Sequence, residues 1–169
     1  MCGIAGLIHR GKSTNVGGEM QNMLQSLKHR GPDSTGYALY GDSGLSDYVL
    51  RFKVGENVGE GSSAVVEDNS IYQKRKEQVN SEIISVGAEI IEQKQITPYS
   101  FRYIIKTDDD LLDLSKKIES VEMTEILSLG KSLELVKDLG DATAVAKQYG
   151  LSNFSGTHGI GHTRMATES

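Results

Sequence analysis

The sequence predicts an α+β protein, one domain with a smaller α/β module inserted in it. Three observations predict this. The 169 residues suffice for one domain, or for one domain and a module, and are too few for three. Strand-like runs of small and β-branched residues are interspersed with stretches whose apolar residues recur at helical spacing. Between Gly55 and Ser63, glycines, serines and acidic residues form a linker, after which the chain becomes rich in Glu, Lys and Ile.

Taken in order, Gly3 to Ile8 are small and apolar and read as a buried strand with Cys2 at its tip. After the polar stretch Gly11 to Gly18, residues Met20, Met23, Leu24 and Leu27 recur at i, i+3, i+4 and i+7, the mark of a helix with one buried face. His29-Arg30-Gly31-Pro32-Asp33 ends it. Gly36 to Tyr40 and Tyr48 to Val54 flank Gly41-Asp42-Ser43-Gly44, and a turn cluster between two β-prone runs predicts a hairpin. The core is therefore expected over residues 1–54 and 131–169, with the insert over 55–130.

Within the insert, helices are expected near 71–85 and 111–120, and strands near 88–95, 99–106 and 125–129, with Thr97-Pro98 as a turn between the first two strands. Together with the strand that ends at Val54, this gives the order βαββαβ, the split βαβ pattern of ferredoxin-like modules. Asp108, Asp109 and Asp110 precede Leu111, Leu114 and Ile118, so they are read as a helix cap rather than a cation site. Asp141 to Tyr149 repeats the helical signature, and Gly150 supplies the left-handed residue that ends it.

Composition narrows the function. With 37% hydrophobic and 24% charged residues the chain sits in the ordinary globular range. Its net charge of −5, from 18 basic and 23 acidic side chains, argues against a nucleic-acid binder. No run approaches the ~18 apolar residues of a membrane span, and a cytoplasmic protein is expected. A single cysteine excludes an intrachain disulfide and any zinc site built on paired thiolates. His158 and His162 are four apart, but Gly159 and Gly161 disfavour the helix that would bring them to one metal. Neither a metal nor a cofactor is expected.

The position of that cysteine is informative. Initiator methionine is normally removed before a small residue, which would leave Cys2 bearing both a thiol and a free α-amine. An α-amine has a reference pKa of about 7.7 to 8.0, so a useful fraction is deprotonated near neutral pH and can accept the thiol proton, directly or through water. Nucleophile and base then share one residue.

Three blocks extend this reading: Met1-Cys2-Gly3-Ile4-Ala5-Gly6, His29-Arg30-Gly31-Pro32-Asp33-Ser34-Thr35-Gly36, and Gly159-Ile160-Gly161-His162-Thr163-Arg164-Met165-Ala166-Thr167. In order and content they resemble the class II glutamine amidotransferases, and Met165-Ala166-Thr167-Glu168-Ser169 leans toward the glutamate synthase relatives. Lys137-Asp138-Leu139-Gly140, followed by a short helix, resembles the lysine-x-x-glycine segment that precedes the second motif in these enzymes.

The resemblance implies a four-layer αββα N-terminal nucleophile hydrolase core, with Cys2 at the end of a central strand. It implies Cys2 as nucleophile, Arg30 and Gly31 in the loop beside it, and Arg164 as partner of the glutamine α-carboxylate. Thr167 and Glu168 would lie beside the bound glutamine, and His162 would help hold the strand that carries Arg164. For Arg164 the chemistry agrees independently, since a planar guanidinium grips a carboxylate through two parallel hydrogen bonds and a lysine cannot.

One departure stands out. The family's Asn-Gly pair, which supplies the oxyanion hole, occurs nowhere in the chain, nor does the downstream aspartate that binds the substrate amine, so the core is expected to be incomplete at its C-terminal end. The resemblance implies glutamine hydrolysis through a Cys2 thioester, with ammonia delivered to a glutamate synthase type partner on a separate subunit or chain, and an oligomer. Two other readings stand beside it: an amidotransferase serving a sugar-phosphate or phosphoribosyl acceptor, and a non-catalytic glutamine-sensing or assembly module. The insert, which lacks a cluster of catalytic residue types, is assigned to contacts with the partner.

Overall fold

Period-two and period-3.6 patterns give way to eight strands and four α-helices in a computed structural model that describes residues 2–41, 46–56 and 68–165. In chain order these are β1 (Gly3–Ile8), α1 (Val16–Ser26), β2 (Ser34–Tyr40), β3 (Tyr48–Lys53), α2 (Asn69–Ser85), β4 (Glu89–Gln95), β5 (Ser100–Lys106), α3 (Leu111–Glu119), β6 (Glu125–Gly130), β7 (Leu133–Leu139), α4 (Ala142–Tyr149) and β8 (His158–Arg164). A 3₁₀ turn over Lys28–Arg30 follows α1. The chain divides into two units, Met1–Gly44 with Ser132–Ser169, and Leu45–Lys131.

The first unit is an antiparallel sheet of order β1-β8-β2-β7 with α1 and α4 packed on one face. Alternate residues face those helices. On β2 these are Thr35, Tyr37 and Leu39, all essentially buried. The Thr35 hydroxyl donates to the Gly140 carbonyl at 2.9 Å and the Tyr37 hydroxyl to that of Ala142 at 2.7 Å, so two buried donors are satisfied where β7 turns into α4. Burial, reinforced by the nearby Asp141 charge, raises the Tyr37 hydroxyl above its usual range and keeps it a neutral donor. On β8 the helix-facing positions include Gly159 and Gly161. A Cβ on Gly161 would lie 2.5 Å from Leu24 Cδ1, so the absent side chain lets α1 approach the sheet closely.

Helix α1 buries Val16, Met20 and Leu24, while Met23 is 39% exposed. The buried stripe thus runs at i, i+4 and i+8 rather than through Met23. Asn15 caps its start by accepting from Gly18 N at 3.0 Å. Helix α4 is bounded as its sequence requires: Asp141 Oδ1 accepts from Ala144 N at 2.9 Å, and Gly150 sits at φ 67 past the end.

Asp141 also accepts from Lys28 Nζ at 2.7 Å. That hydrogen bond, followed by the one from the Ala144 amide, holds its carboxyl below the ordinary carboxylate value. A depressed folded-state pKa contributes stability that is complete above the unfolded value and is lost as the pH falls through the folded one. Asp141→Ala should therefore cost about 1 kcal/mol at neutral pH, mostly through the lost cap. Thermal denaturation of both proteins across an acid titration checks this, and the gap in Tm should close as the carboxylate range is passed.

In the second unit the sheet order is β4-β5-β3-β6, again antiparallel throughout, and the element order is βαββαβ. Leu50 and Phe52 of β3 and Phe101, Tyr103 and Ile105 of β5 share a face and pack with Val79 and Ile83 of α2 and Leu114 and Ile118 of α3. Phe52 stacks on Phe101 at 5.3 Å between centroids and meets Tyr103 edge-on at 5.0 Å. The Tyr103 hydroxyl leaves this core to donate to Asn80 Oδ1 at 2.9 Å. Asp110 caps α3, accepting from Leu112 N at 2.6 Å.

Two expectations need correction. The hairpin joining Gly36–Tyr40 to Tyr48–Val54 does not form: both edges of β2 are taken by β7 and β8, and β3 pairs with β5 and β6. The strand at Tyr48 consequently belongs to the second unit, and the division falls between Gly44 and Leu45 rather than after Val54. Among the described residues β1 lies at an edge of its sheet, paired with β8.

Candidate active site

The three sequence blocks meet at one end of the first unit's sheet. Strand β1 is antiparallel to β8 with Gly3 opposite Thr163, so one further step sets Cys2 opposite Arg164. Arg164 in turn stands opposite Ser34, the first residue of β2. Arg164 and Ser34 are thus paired across β8 and β2, and Cys2, immediately before β1, continues the same line. Their neighbours identify the face. Gly3, Thr163 and Thr35 point toward the helices, as the Thr163 hydroxyl to Leu27 carbonyl contact at 3.5 Å and the closeness of Gly3 to Leu27 both show. By alternation Cys2, Arg164 and Ser34 lie on the face opposite α1 and α4.

Cys2 is exposed, as is Arg164. No carboxylate pairs with the Arg164 guanidinium among the described residues, so its fork is available to an anion. An exposed thiol and an exposed guanidinium at the same end of the sheet offer a nucleophile and an anion-binding fork side by side.

The second block holds this end in place from below. Arg30 closes the 3₁₀ turn, and Gly31, buried, lies against the backbone of β8: a Cβ added to it would fall 2.6 Å from both N and C of Arg164 and 2.7 Å from C of Thr163. Asp33 N donates to the Arg164 carbonyl at 3.2 Å and Gly140 N to the Asp33 carbonyl at 2.9 Å, fastening the loop to β8 and to the end of β7. Gly140, at φ 115, supplies a conformation that other residues rarely adopt. The next row, Ile4, His162, Gly36 and Lys137, has the His162 ring over Gly36, whose added Cβ would lie 2.5 Å from His162 Cε1.

Beyond the polar row this face is apolar. Ile4, Ile8 and Ile160 are 77%, 74% and 56% exposed, and a shallow hollow of ≈ 400 Å³ is lined by Ile4, Ala38, Leu135, Ile160 and His162 among others. A larger hollow of ≈ 620 Å³ in the second unit is lined mostly by charged residues and holds none of the motif residues.

The structure thus brings together Cys2, Gly31 and Arg164, with Arg30 in the adjoining turn. Thr167 and Glu168 lie outside the described residues. Ser34 was quoted in a motif without a role, and its place beside Arg164 follows from strand register, which no local pattern reveals. Among the described residues no group of three His, Cys, Asp or Glu side chains is arranged to hold a metal, and no helix is long and apolar enough to cross a membrane.

Along its full length the chain is similar to a Methanothermobacter thermautotrophicus protein named "Putative glutamine amidotransferase", at 37% identity over 175 aligned positions that cover 53% of that protein. It is also similar to the "Glutamine amidotransferase-like protein GlxB" of Rhizobium meliloti, at 26% identity over 172 positions covering 51% of it. The chain spans about half the length of the curated relatives it matches. No family profile matches it.

Proposed function

We propose that the chain is the nucleophile-bearing part of a class II glutamine amidotransferase, which hydrolyses glutamine through a Cys2 thioester and passes the ammonia to an acceptor synthase. The observation that carries this reading is the pairing of Gly3 with Thr163, which brings Cys2, just ahead of β1, toward Arg164 at the end of β8, with Gly31 packed against the Arg164 backbone. The names of the two relatives support it.

In this mechanism removal of Met1 frees the Cys2 α-amine, which takes the thiol proton directly or through water. The sulfur attacks the amide carbon, the tetrahedral oxyanion collapses, the proton passes to the departing nitrogen, and ammonia leaves. Water then hydrolyses the thioester to glutamate. Arg164 holds the α-carboxylate throughout, with Thr167 and Glu168 beside the substrate. The oxyanion needs hydrogen-bond donors, each worth a factor of roughly 100 to 1,000 in rate. The chain has no Asn-Gly pair to supply them, so the reading takes them from elsewhere in a longer polypeptide.

The reading also carries a fold, the αββα sandwich. It is supported by the sheet face opposite α1 and α4: exposed Ile4, Ile8 and Ile160 there call for a second sheet packed about 10 Å away, and relatives twice as long have the residues to build one. The open edge of β1 leaves room for the neighbour that would make it a central strand. The βαββαβ order and the interleaved β4-β5-β3-β6 sheet support a ferredoxin-like module in the second unit. With no motif residue in it, docking to a glutamate synthase type acceptor is its assigned role.

Arg164→Lys in the full-length protein tests the site. A lysine keeps the charge and loses the bidentate grip, which acts in ground and transition states alike, so KM for glutamine should rise roughly tenfold or more with kcat little changed. Steady-state kinetics decide it, and an unchanged KM would mean that Arg164 does not anchor the carboxylate.

A further inference from the structure

We propose that Ser34 is a substrate-positioning residue whose hydroxyl donates to the same α-carboxylate that Arg164 holds. The proposal rests on the glutaminase reading above and deepens it. Ser34 is the cross-strand partner of Arg164, on the sheet face opposite α1 and α4. Cross-strand partners on one face have Cβ atoms about 4.5 to 5.5 Å apart, so an Arg164 side chain lying across β2 brings a bound carboxylate within reach of the serine.

Its hydroxyl is uncommitted. Thr35, next in the strand, donates to the Gly140 carbonyl, whereas Ser34 is half-buried and its side chain has no hydrogen bond among the described residues. The residue opposite it on β7 is Leu139, which offers no polar group. A carboxylate has about four lone-pair sites, of which a bidentate arginine uses two, and a neighbouring hydroxyl donor fits a third.

The backbone here is fixed before substrate arrives. Asp33, immediately ahead of Ser34, is bonded through its amide to Arg164 and through its carbonyl to Gly140, so β2 begins clamped between β8 and β7. A hydroxyl presented from such a position loses little freedom on binding.

The test uses the full-length protein with Ser34→Ala and Ser34→Thr, glutamine kinetics, and two Cys2 reagents: the glutamine-mimicking electrophile 6-diazo-5-oxo-L-norleucine, and iodoacetamide, which has no α-carboxylate. Ser34→Ala should raise KM for glutamine about tenfold with kcat nearly kept, and slow labelling by the mimic by a similar factor while iodoacetamide reacts as in the wild type. Ser34→Thr, which retains a hydroxyl and suits a strand, should recover most of both. If Ser34→Ala leaves KM and mimic labelling unchanged in a protein that hydrolyses glutamine, the Ser34 role is wrong and the glutaminase reading stands. Equal slowing with both reagents would mark a structural disturbance and also overturn it. Wild-type protein that neither hydrolyses glutamine nor reacts with the mimic would overturn both together.

Discussion

Cys2→Ala in the full-length protein is expected to reduce glutamine hydrolysis by about a thousandfold or more while leaving the fold intact. The two parts of this expectation have separate grounds. Cys2 is exposed and precedes β1, so its side chain contributes little packing, and substitutions of that kind usually change stability by no more than about 0.5 kcal/mol. The loss of rate is therefore chemical. Without the sulfur no thioester forms, and what remains is the effect of binding and orientation alone. Cys2→Ser is the finer probe, since it keeps the shape and replaces a thiol by a far weaker acid. It should also be severely impaired. Glutamate release measured beside Tm gives both quantities, and a Cys2→Ala protein with near-normal hydrolysis would end the thioester mechanism.

Gly31→Ala is expected to lower kcat/KM for glutamine by on the order of 100-fold, although Gly31 need not touch substrate through a side chain. Backbone strain is not the reason. At φ 178 the residue is extended, a conformation open to any amino acid. The reason is contact: the new methyl carbon would fall 2.6 Å from N and C of Arg164, atoms of a strand backbone that cannot rotate aside as a side-chain end could. The loop or the end of β8 must move, and either shifts Arg164 relative to Cys2 by something like 1 Å. Overpacking of this kind also costs roughly 1 to 3 kcal/mol, so Tm should fall as well. Kinetics at a temperature well below the variant's Tm separate the two effects. Wild-type kcat/KM with a lowered Tm would show that the Gly31 contact supports the fold and not the site.

What the sequence revealed was what is encoded locally. Asp141 and Gly150 bracket α4, and Asp110 starts α3, because caps and left-handed stops act within a turn of the residues that specify them. Pairing across the sheet is not encoded that way. Gly41-Asp42-Ser43-Gly44 suggests a hairpin by its own chemistry, but β2 finds better partners in β7 and β8 from the far end of the chain. Strand β7 was hidden for another reason: its inward positions include Glu134 and Asp138 beside Val136, so burial is not written as an apolar run. Asp138 accepts from Tyr149 OH at 2.6 Å, a partner 11 residues away that its own segment does not announce.

The candidate site was legible in its residue types and not in its geometry. Cys2, Gly31 and Arg164 stand in separate motifs whose chemistry can be read one by one. That Gly31 is needed for close approach to Arg164, and that Ser34 stands beside that arginine, depends on a register shared by β1, β8 and β2. Met23 is a smaller case, since a helical stripe of four apolar residues leaves open which of them the sheet covers.

The central claim, that Cys2 is an N-terminal nucleophile for glutamine, is tested most directly by intact-mass analysis of the active full-length protein after treatment with 6-diazo-5-oxo-L-norleucine. The account predicts a chain without Met1 that carries a single adduct on Cys2, the one cysteine among residues 1–169, with glutamine protecting against its formation. Active protein that retains Met1, or that is inactivated by the reagent through an adduct elsewhere, would contradict it.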